Sequence, residues 1–185
     1  MRVTGGAYRG ATLFTSKGLD VRPTPDKVKQ AIFNILGEKV AGASFLDLFA
    51  GSGAMGLEAM SRGAARVTLV ENRRMDLVER NLKKLRLEGS PAITLMKADV
   101  FQALAGLARG GYNFDIIYAD PPWDAGYETR IVEEAAPVLS KGGALVMESS
   151  ARHAPPGTEG GLPLRLTRSR KYGDTLVSFY ASEDC

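Results

Sequence analysis

The chain has 185 residues, 44% hydrophobic and 24% charged, with a net charge of +3, the profile of one globular domain rather than a disordered chain or two comfortable domains. No apolar run nears the ~20 residues that span a bilayer, and Met1-Arg2-Val3-Thr4-Gly5-Gly6 lacks the apolar stretch of a secretion signal, so a cytoplasmic location is expected. The only cysteine is Cys185 and the only histidine His153, which excludes an internal disulfide, a Cys/His zinc site and, with the thiol at a chain end, covalent cysteine catalysis.

From the start, Arg2 to about Phe14 reads as a small hairpin, with Gly5-Gly6 and Arg9-Gly10 as turn signals. Thr24-Pro25-Asp26 predicts a helix start: a capping hydroxyl, proline at the first position and an acid in the first turn. Val28, Ala31, Ile32, Ile35 and Leu36 follow at helical spacing, and Gly37 is a stop signal. Strands are then predicted at Ser44–Ala50, Arg66–Glu71, Ala92–Ala98, Phe114–Ala119 and Ala144–Glu148. Helices follow the first four, running to about Arg62, over Arg74–Leu87, around Val100–Ala108 and near Glu128–Ala136. Two further strands, Leu164–Arg170 and Thr175–Tyr180, close the chain. Such alternation implies an α/β fold with right-handed crossovers and helices on both faces of one sheet. Residues 1–40 read as a hairpin-and-helix extension of the same domain, and 41–185 as its core. Ligands of such sheets bind beyond the carboxyl ends of the strands, where Glu71, Asp99 and Asp120 all fall.

Charge is unevenly spread. Residues 1–40 hold seven Lys/Arg against three Asp/Glu, residues 60–86 eight against three, and residues 87–150 four against nine. The run Arg165-Leu166-Thr167-Arg168-Ser169-Arg170-Lys171 adds four cations. Basic ends around an acidic middle suit a protein that meets a polyanion along one side, although ordinary solvated faces give the same pattern.

Asp47-Leu48-Phe49-Ala50-Gly51-Ser52-Gly53-Ala54-Met55-Gly56 is a strand running into a glycine turn and a helix, which lets a ligand approach the backbone amides. A carboxylate at Glu71, beside Asn72, can accept from the hydroxyls of a ribose. These features fit a dinucleotide and other adenosine cofactors equally. Asp99 can accept from an adenine amine while the Val100 N–H donates to a ring nitrogen, or it can cap the following helix. Asp120-Pro121-Pro122-Trp123 decides between cofactors. Its prolines remove two donors and stiffen the turn, leaving carbonyls and a carboxylate that can take both hydrogen bonds of an exocyclic amine. Asp120 opposes positive charge developing on that nitrogen, and Trp123 offers a face for stacking. A nicotinamide enzyme has no use for such a turn, so methyl transfer is favoured.

With Arg22-Pro23-Thr24, Leu57-Glu58-Ala59, Arg62-Gly63-Ala64 and Tyr172-Gly173-Asp174-Thr175 added to these two motifs, the chain resembles, from about Arg2 to Tyr180, the bacterial 16S rRNA guanine-N2 methyltransferases of the small-subunit methyltransferase D type. The resemblance implies one Rossmann-like domain of seven strands, the last antiparallel, with a small N-terminal hairpin-helix extension. It implies S-adenosylmethionine as cofactor, no metal, and direct transfer to N2 of one guanine in 16S ribosomal RNA within an assembled or partly assembled small subunit. Asp47, Phe49, Gly51, Ser52, Gly53, Glu71, Asn72, Asp99 and Val100 would then bind cofactor. Asp120, Pro121, Pro122 and Trp123 would hold the target amine, with Arg22 and Thr24 lining the site. The fourth residue of the acceptor turn is usually Phe or Tyr and here is Trp123, while Lys27 and Lys29 stand where arginines are common, a change that weakens bidentate phosphate contacts. Arg9, Arg22, Lys27, Arg168, Arg170 and Tyr172 are expected to face the RNA, and a monomer is the default.

Rivals are an adenine-N6 or other amino methyltransferase on DNA or RNA, and a non-catalytic RNA-binding assembly factor, which would need none of Glu71, Asp99 and Asp120. A protein-glutamine methyltransferase would show Asn-Pro-Pro-Tyr at the acceptor turn.

Overall fold

A computed structural model describes residues 1–15, 25–123, 125–157 and 161–182. Its elements run α1 (Asp26–Leu36), β1 (Ser44–Leu48), α2 (Ala54–Ser61), β2 (Arg66–Val70), α3 (Met75–Lys84), β3 (Ile93–Met96), α4 (Val100–Arg109), β4 (Phe114–Ala119), α5 (Glu128–Ala135), β5 (Leu139–Ser150), β6 (Leu164–Tyr172) and β7 (Thr175–Ser182). The strands form one sheet in the order β3-β2-β1-β4-β5-β7-β6. β1 to β5 are mutually parallel, and β7 is antiparallel to both β5 and β6.

Helices cover both faces. Val28 and Ile32 of α1, Met55 and Leu57 of α2, and Val78 and Leu82 of α3 join one buried cluster. Leu104 and Leu107 of α4 with Ile131 and Val132 of α5 join another across the sheet. Double coverage explains why β1 is buried at every position and why its sequence is a run of apolar residues rather than an alternation. Ser44, at its start, and Asp47 are the exceptions in that run.

The expected N-terminal hairpin is looser than a strand pair. One antiparallel bridge joins Arg2 and Thr12, flanked by Val3 N–H to Ala11 O and Leu13 N–H to Met1 O, both at 2.9 Å. Val3 and Leu13 reach the same cluster as α1 and α2. Pro25 takes the position before α1 rather than its first turn, and its carbonyl accepts from the Val28 and Lys29 N–H groups. The proposed Thr24 cap lies outside the described residues. β5 starts five residues before its expected position because Gly142-Gly143 reads as a breaker. In the fold these glycines belong to extra chain that bulges out between the pairings Phe114–Leu139 and Ile116–Ala144.

The extension is fastened to α2 by a buried polar cluster. Glu58 accepts from the Thr4 N–H and hydroxyl, both at 2.7 Å, and from Arg62 Nε at 2.8 Å. Lys29 Nζ sits 3.3 Å from Glu58 and donates to the Arg2 carbonyl. Although burial works against its charge, the Thr4 N–H, Arg62, the Thr4 hydroxyl and Lys29 hold the Glu58 carboxyl below the usual carboxylate range. Lys29 is wholly buried, which corrects the expectation that it stands on a phosphate-facing surface. Nearby, the backbone passes so close to α2 that a Cβ on Gly6, itself at φ 75°, would lie 1.7 Å from the Ser61 carbonyl oxygen.

Candidate active site

A cavity of about 630 Å3 opens at the carboxyl ends of β1, β2 and β4, inside the range of about 300–1,000 Å3 typical of small-ligand sites. Asp47, Phe49, Gly51, Ser52, Glu71, Asn72, Asp99 and the whole Asp120–Trp123 turn line it, so the structure brings together motifs up to 76 positions apart (47 to 123).

The glycine loop leaves β1 through two left-handed residues, Phe49 at φ 62° and Gly51 at φ 56°. A Cβ on Gly51 would meet only the Phe49 carbonyl oxygen, at 3.9 Å. The space beside this loop is thus open cavity, a cradle that a side chain would fill and a ligand can use. Phe49 stacks on Tyr127 with ring centroids 6.3 Å apart, and Tyr127 meets Phe101 edge-on at 5.3 Å, which makes an aromatic wall beside the loop.

Glu71 braces that loop. Its Oε2 accepts from the Gly51 N–H at 2.8 Å, and its Oε1 from the Arg73 and Arg74 N–H groups at 2.7 and 3.0 Å. Three of the carboxylate's roughly four acceptor positions are therefore used, and one ribose hydroxyl finds a place without rearrangement where the sequence suggested two. Asp99 does cap α4. Its Oδ1 accepts from the Phe101 and Gln102 N–H groups at 2.9 and 3.2 Å, while Oδ2 is left for a ligand. Capping and cofactor contact are compatible here.

Asp47 lies on the cavity floor, 1% exposed, and accepts from the Gly56 N–H at 2.9 Å. Burial pushes its carboxyl up to about 7; the Gly56 N–H pulls it down and the charge of Glu71 adds to the rise. Asp120 and Trp123 are half-buried at the rim, Pro121 is buried and Pro122 exposed.

Gly53 and Val100 do not line the cavity. Gly53 precedes α2 in left-handed conformation, and the Val100 side chain belongs to the α4/α5 core. Arg9, Lys27, Arg168 and Arg170 are exposed and Tyr172 is half-buried, all away from the cavity wall. Arg22 and Thr24 lie outside the described residues.

Sequence reasoning missed several lining groups: Met1, Thr15 and Pro25 from the N-terminal extension, and Tyr118, Glu148 and Thr175. Tyr118 donates to Glu148 Oε1 at 2.6 Å, both side chains buried. The available signal was register. Tyr118 pairs with Val146, so two residues further on Asp120 and Glu148 fall on one sheet face.

Among the described residues no group of three His, Cys, Asp or Glu side chains is arranged to hold a metal, and no helix is long and apolar enough to cross a membrane.

The strand order, the single antiparallel insertion and the glycine loop at the end of β1 are those of the Rossmann-like methyltransferase fold. The S-adenosylmethionine-dependent methyltransferase from Agrobacterium tumefaciens shares it at a TM-score of 0.65 and 19% identity, over 88% of this chain and 63% of that one. Closer in sequence is a hypothetical protein of Thermus thermophilus, at a TM-score of 0.83 and 26% identity, over 98% of this chain and 99% of that one. Ribosomal RNA small subunit methyltransferase D of Escherichia coli is 34% identical over 190 aligned residues, 99% of this chain and 90% of that protein. Residues 1–181 match the family described as conserved hypothetical protein 95. The chain belongs to this family and is a relative of the small-subunit methyltransferase D proteins.

Proposed function

We propose that this protein methylates the exocyclic N2 amine of a guanine in 16S ribosomal RNA, with S-adenosylmethionine as the methyl donor. The observation that carries this reading is the sharing of one cavity by the Asp120–Trp123 acceptor turn and the Glu71-braced glycine loop. The similarity to ribosomal RNA small subunit methyltransferase D supports the choice of RNA.

The residues present fit the cofactor. The open space beside Gly51 admits its amino-acid part, Glu71 Oε2 accepts from a ribose hydroxyl, and Asp99 Oδ2 accepts from the adenine amine. The bound cofactor supplies an electrophilic methyl on a sulfonium. The chain's own groups do the rest. The target nitrogen is a weak nucleophile because its lone pair is delocalised into the purine ring. The Asp120 carboxylate and the Pro121 carbonyl accept its two N–H bonds and hold it pyramidal. As positive charge grows on the nitrogen, Asp120 stabilises it in a partly desolvated setting, and the surplus proton of the methylated nitrogen leaves along the Asp120 hydrogen bond to solvent. Trp123 stacks on the base once it has left its helix or loop, a step that costs a few kcal/mol for a paired base. Neighbouring features of an assembled or partly assembled small subunit supply further specificity.

The test is transfer of labelled methyl from S-adenosylmethionine to small subunits lacking their guanine-N2 methylation, with Asp120→Asn alongside. Product at guanine N2 is expected, with turnover about 10²–10³-fold lower in the variant and S-adenosylhomocysteine affinity unchanged. Transfer undiminished in the variant, or product at another base or atom, rejects the reading.

A further inference from the structure

β6 is an edge strand of the sheet, and it carries the basic run Arg165–Lys171. In a regular strand Arg165 and Arg168, three apart, would face opposite sides. They do not. The pairing with β7 slips between Leu166 and Arg168, so that Arg165 lies opposite Ala181 while Arg168 lies opposite Phe179. Thr167 is the extra residue, and its hydroxyl donates to the Phe179 carbonyl at 3.0 Å. Ala181, Phe179, Val177 and Thr175 alternate on one face of β7, and their partners across the strand pair are Arg165, Arg168, Arg170 and Tyr172. The bulge thus gathers three arginines and a tyrosine on a single face and leaves Lys171 on the other.

That row points at the cavity. Tyr172 pairs with Thr175, which lines the cavity, and the arginines lead away from it at steps of about 7 Å, two residues of antiparallel strand each. This is close to the separation of successive phosphates along an extended RNA strand. Three strand spacings, about 14 Å, separate β4 from β6, a reach of a few nucleotides from the acceptor turn. Arg165, Arg168 and Arg170 are exposed, and none forms an ion pair among the described residues; Arg170 donates only to the Ser169 carbonyl. Such guanidinium groups are available for bidentate phosphate contacts.

We infer that the bulge at Thr167 builds a phosphate-binding track, Tyr172–Arg170–Arg168–Arg165, which holds a single RNA strand flanking the target nucleotide. The occupant rests on the rRNA reading above, but the binding test does not require that guanine be the acceptor. Binding of oligouridylate, which contains no guanine, is measured over a range of salt concentrations for the intact protein. The variants are Arg165→Gln, Arg168→Gln, the triple Arg165→Gln/Arg168→Gln/Arg170→Gln, Lys171→Gln and a deletion of Thr167.

The slope of log affinity against log salt falls by about 0.7 for each arginine lost, and by about 2 in the triple variant. Lys171→Gln changes it far less. Deleting Thr167 turns Arg165 to the other face and lowers the slope as Arg165→Gln does. S-adenosylhomocysteine binding stays at wild-type level throughout, which shows that each variant is folded and separates this result from any failure of the methylation reading. A triple variant with the wild-type slope, or a Lys171→Gln effect equal to that of Arg168→Gln, overturns the track.

Discussion

Asp47 shows how one buried group can couple cofactor binding to pH. Its carboxyl is raised from 3.8 to about 7 by burial, net of the Gly56 N–H and with the Glu71 charge adding to the rise. The folded state therefore binds its proton more tightly than the unfolded state. Stability from this group is complete below about pH 4 and is lost as pH rises through about 7. A cationic ligand in the cavity favours the ionised form. Affinity for S-adenosylmethionine is accordingly expected to rise several-fold between about pH 6 and about pH 8, with the binding protein releasing a proton at the lower end. Calorimetric titration at several pH values checks this, and Asp47→Asn flattens the dependence if the assignment holds. Asp47 was legible as a site residue because it opens the glycine motif. Its environment was not, since the buried walls come from neighbouring strands far along the chain. Tyr118 and Glu148 escaped notice for the same reason: each reads as an ordinary position in an apolar strand until register places them over the cavity.

At the scale of elements, local rules located strands and helices well wherever periodicity and stop signals agreed, as for β4 and α4. They failed where a signal had a second use. Gly142-Gly143 serves a bulge and not a strand end, and Lys29, on a charged-looking first turn of α1, turns inward to Glu58 of α2. No sequence window contains both partners of that pair. Glu58 keeps Arg62 and Thr4 as partners when Lys29 is removed, but the Arg2 carbonyl loses its donor and one ion-pair contact goes, so Lys29→Met is expected to destabilise the fold by about 1–3 kcal/mol. Gly6→Ala acts on the same junction by a different route, forcing the hairpin off the Ser61 carbonyl. Urea denaturation measures both. A loss below about 1 kcal/mol for Lys29→Met would place the pair among weakly contributing ion pairs.

For the whole molecule, the alternation of predicted strands and helices was enough to give the parallel sheet, whereas the antiparallel last strand was expected only from the family resemblance. The role of the N-terminal extension was less visible. Val3 and Leu13 share a cluster with α1, α2 and α3, while Met1, Thr15 and Pro25 stand on the cavity wall. The extension and the sheet should therefore unfold together. Trp123 is the sole tryptophan and reports from the site, whereas circular dichroism reports from the helices. Coincident urea transitions by the two probes are expected; two separated midpoints would mean that the site melts ahead of the rest.

The bulge at Thr167 also bears on how the molecules meet one another in concentrated solution. An edge strand offers a row of backbone donors and acceptors on which another chain's strand can align, the first step toward fibrous aggregates. β6 interrupts that row at its middle and flanks the interruption with like charges, so a second copy approaching edge to edge meets both a broken ladder and cation–cation repulsion. The irregularity that aligns the arginines thereby protects the open margin of the sheet against self-association.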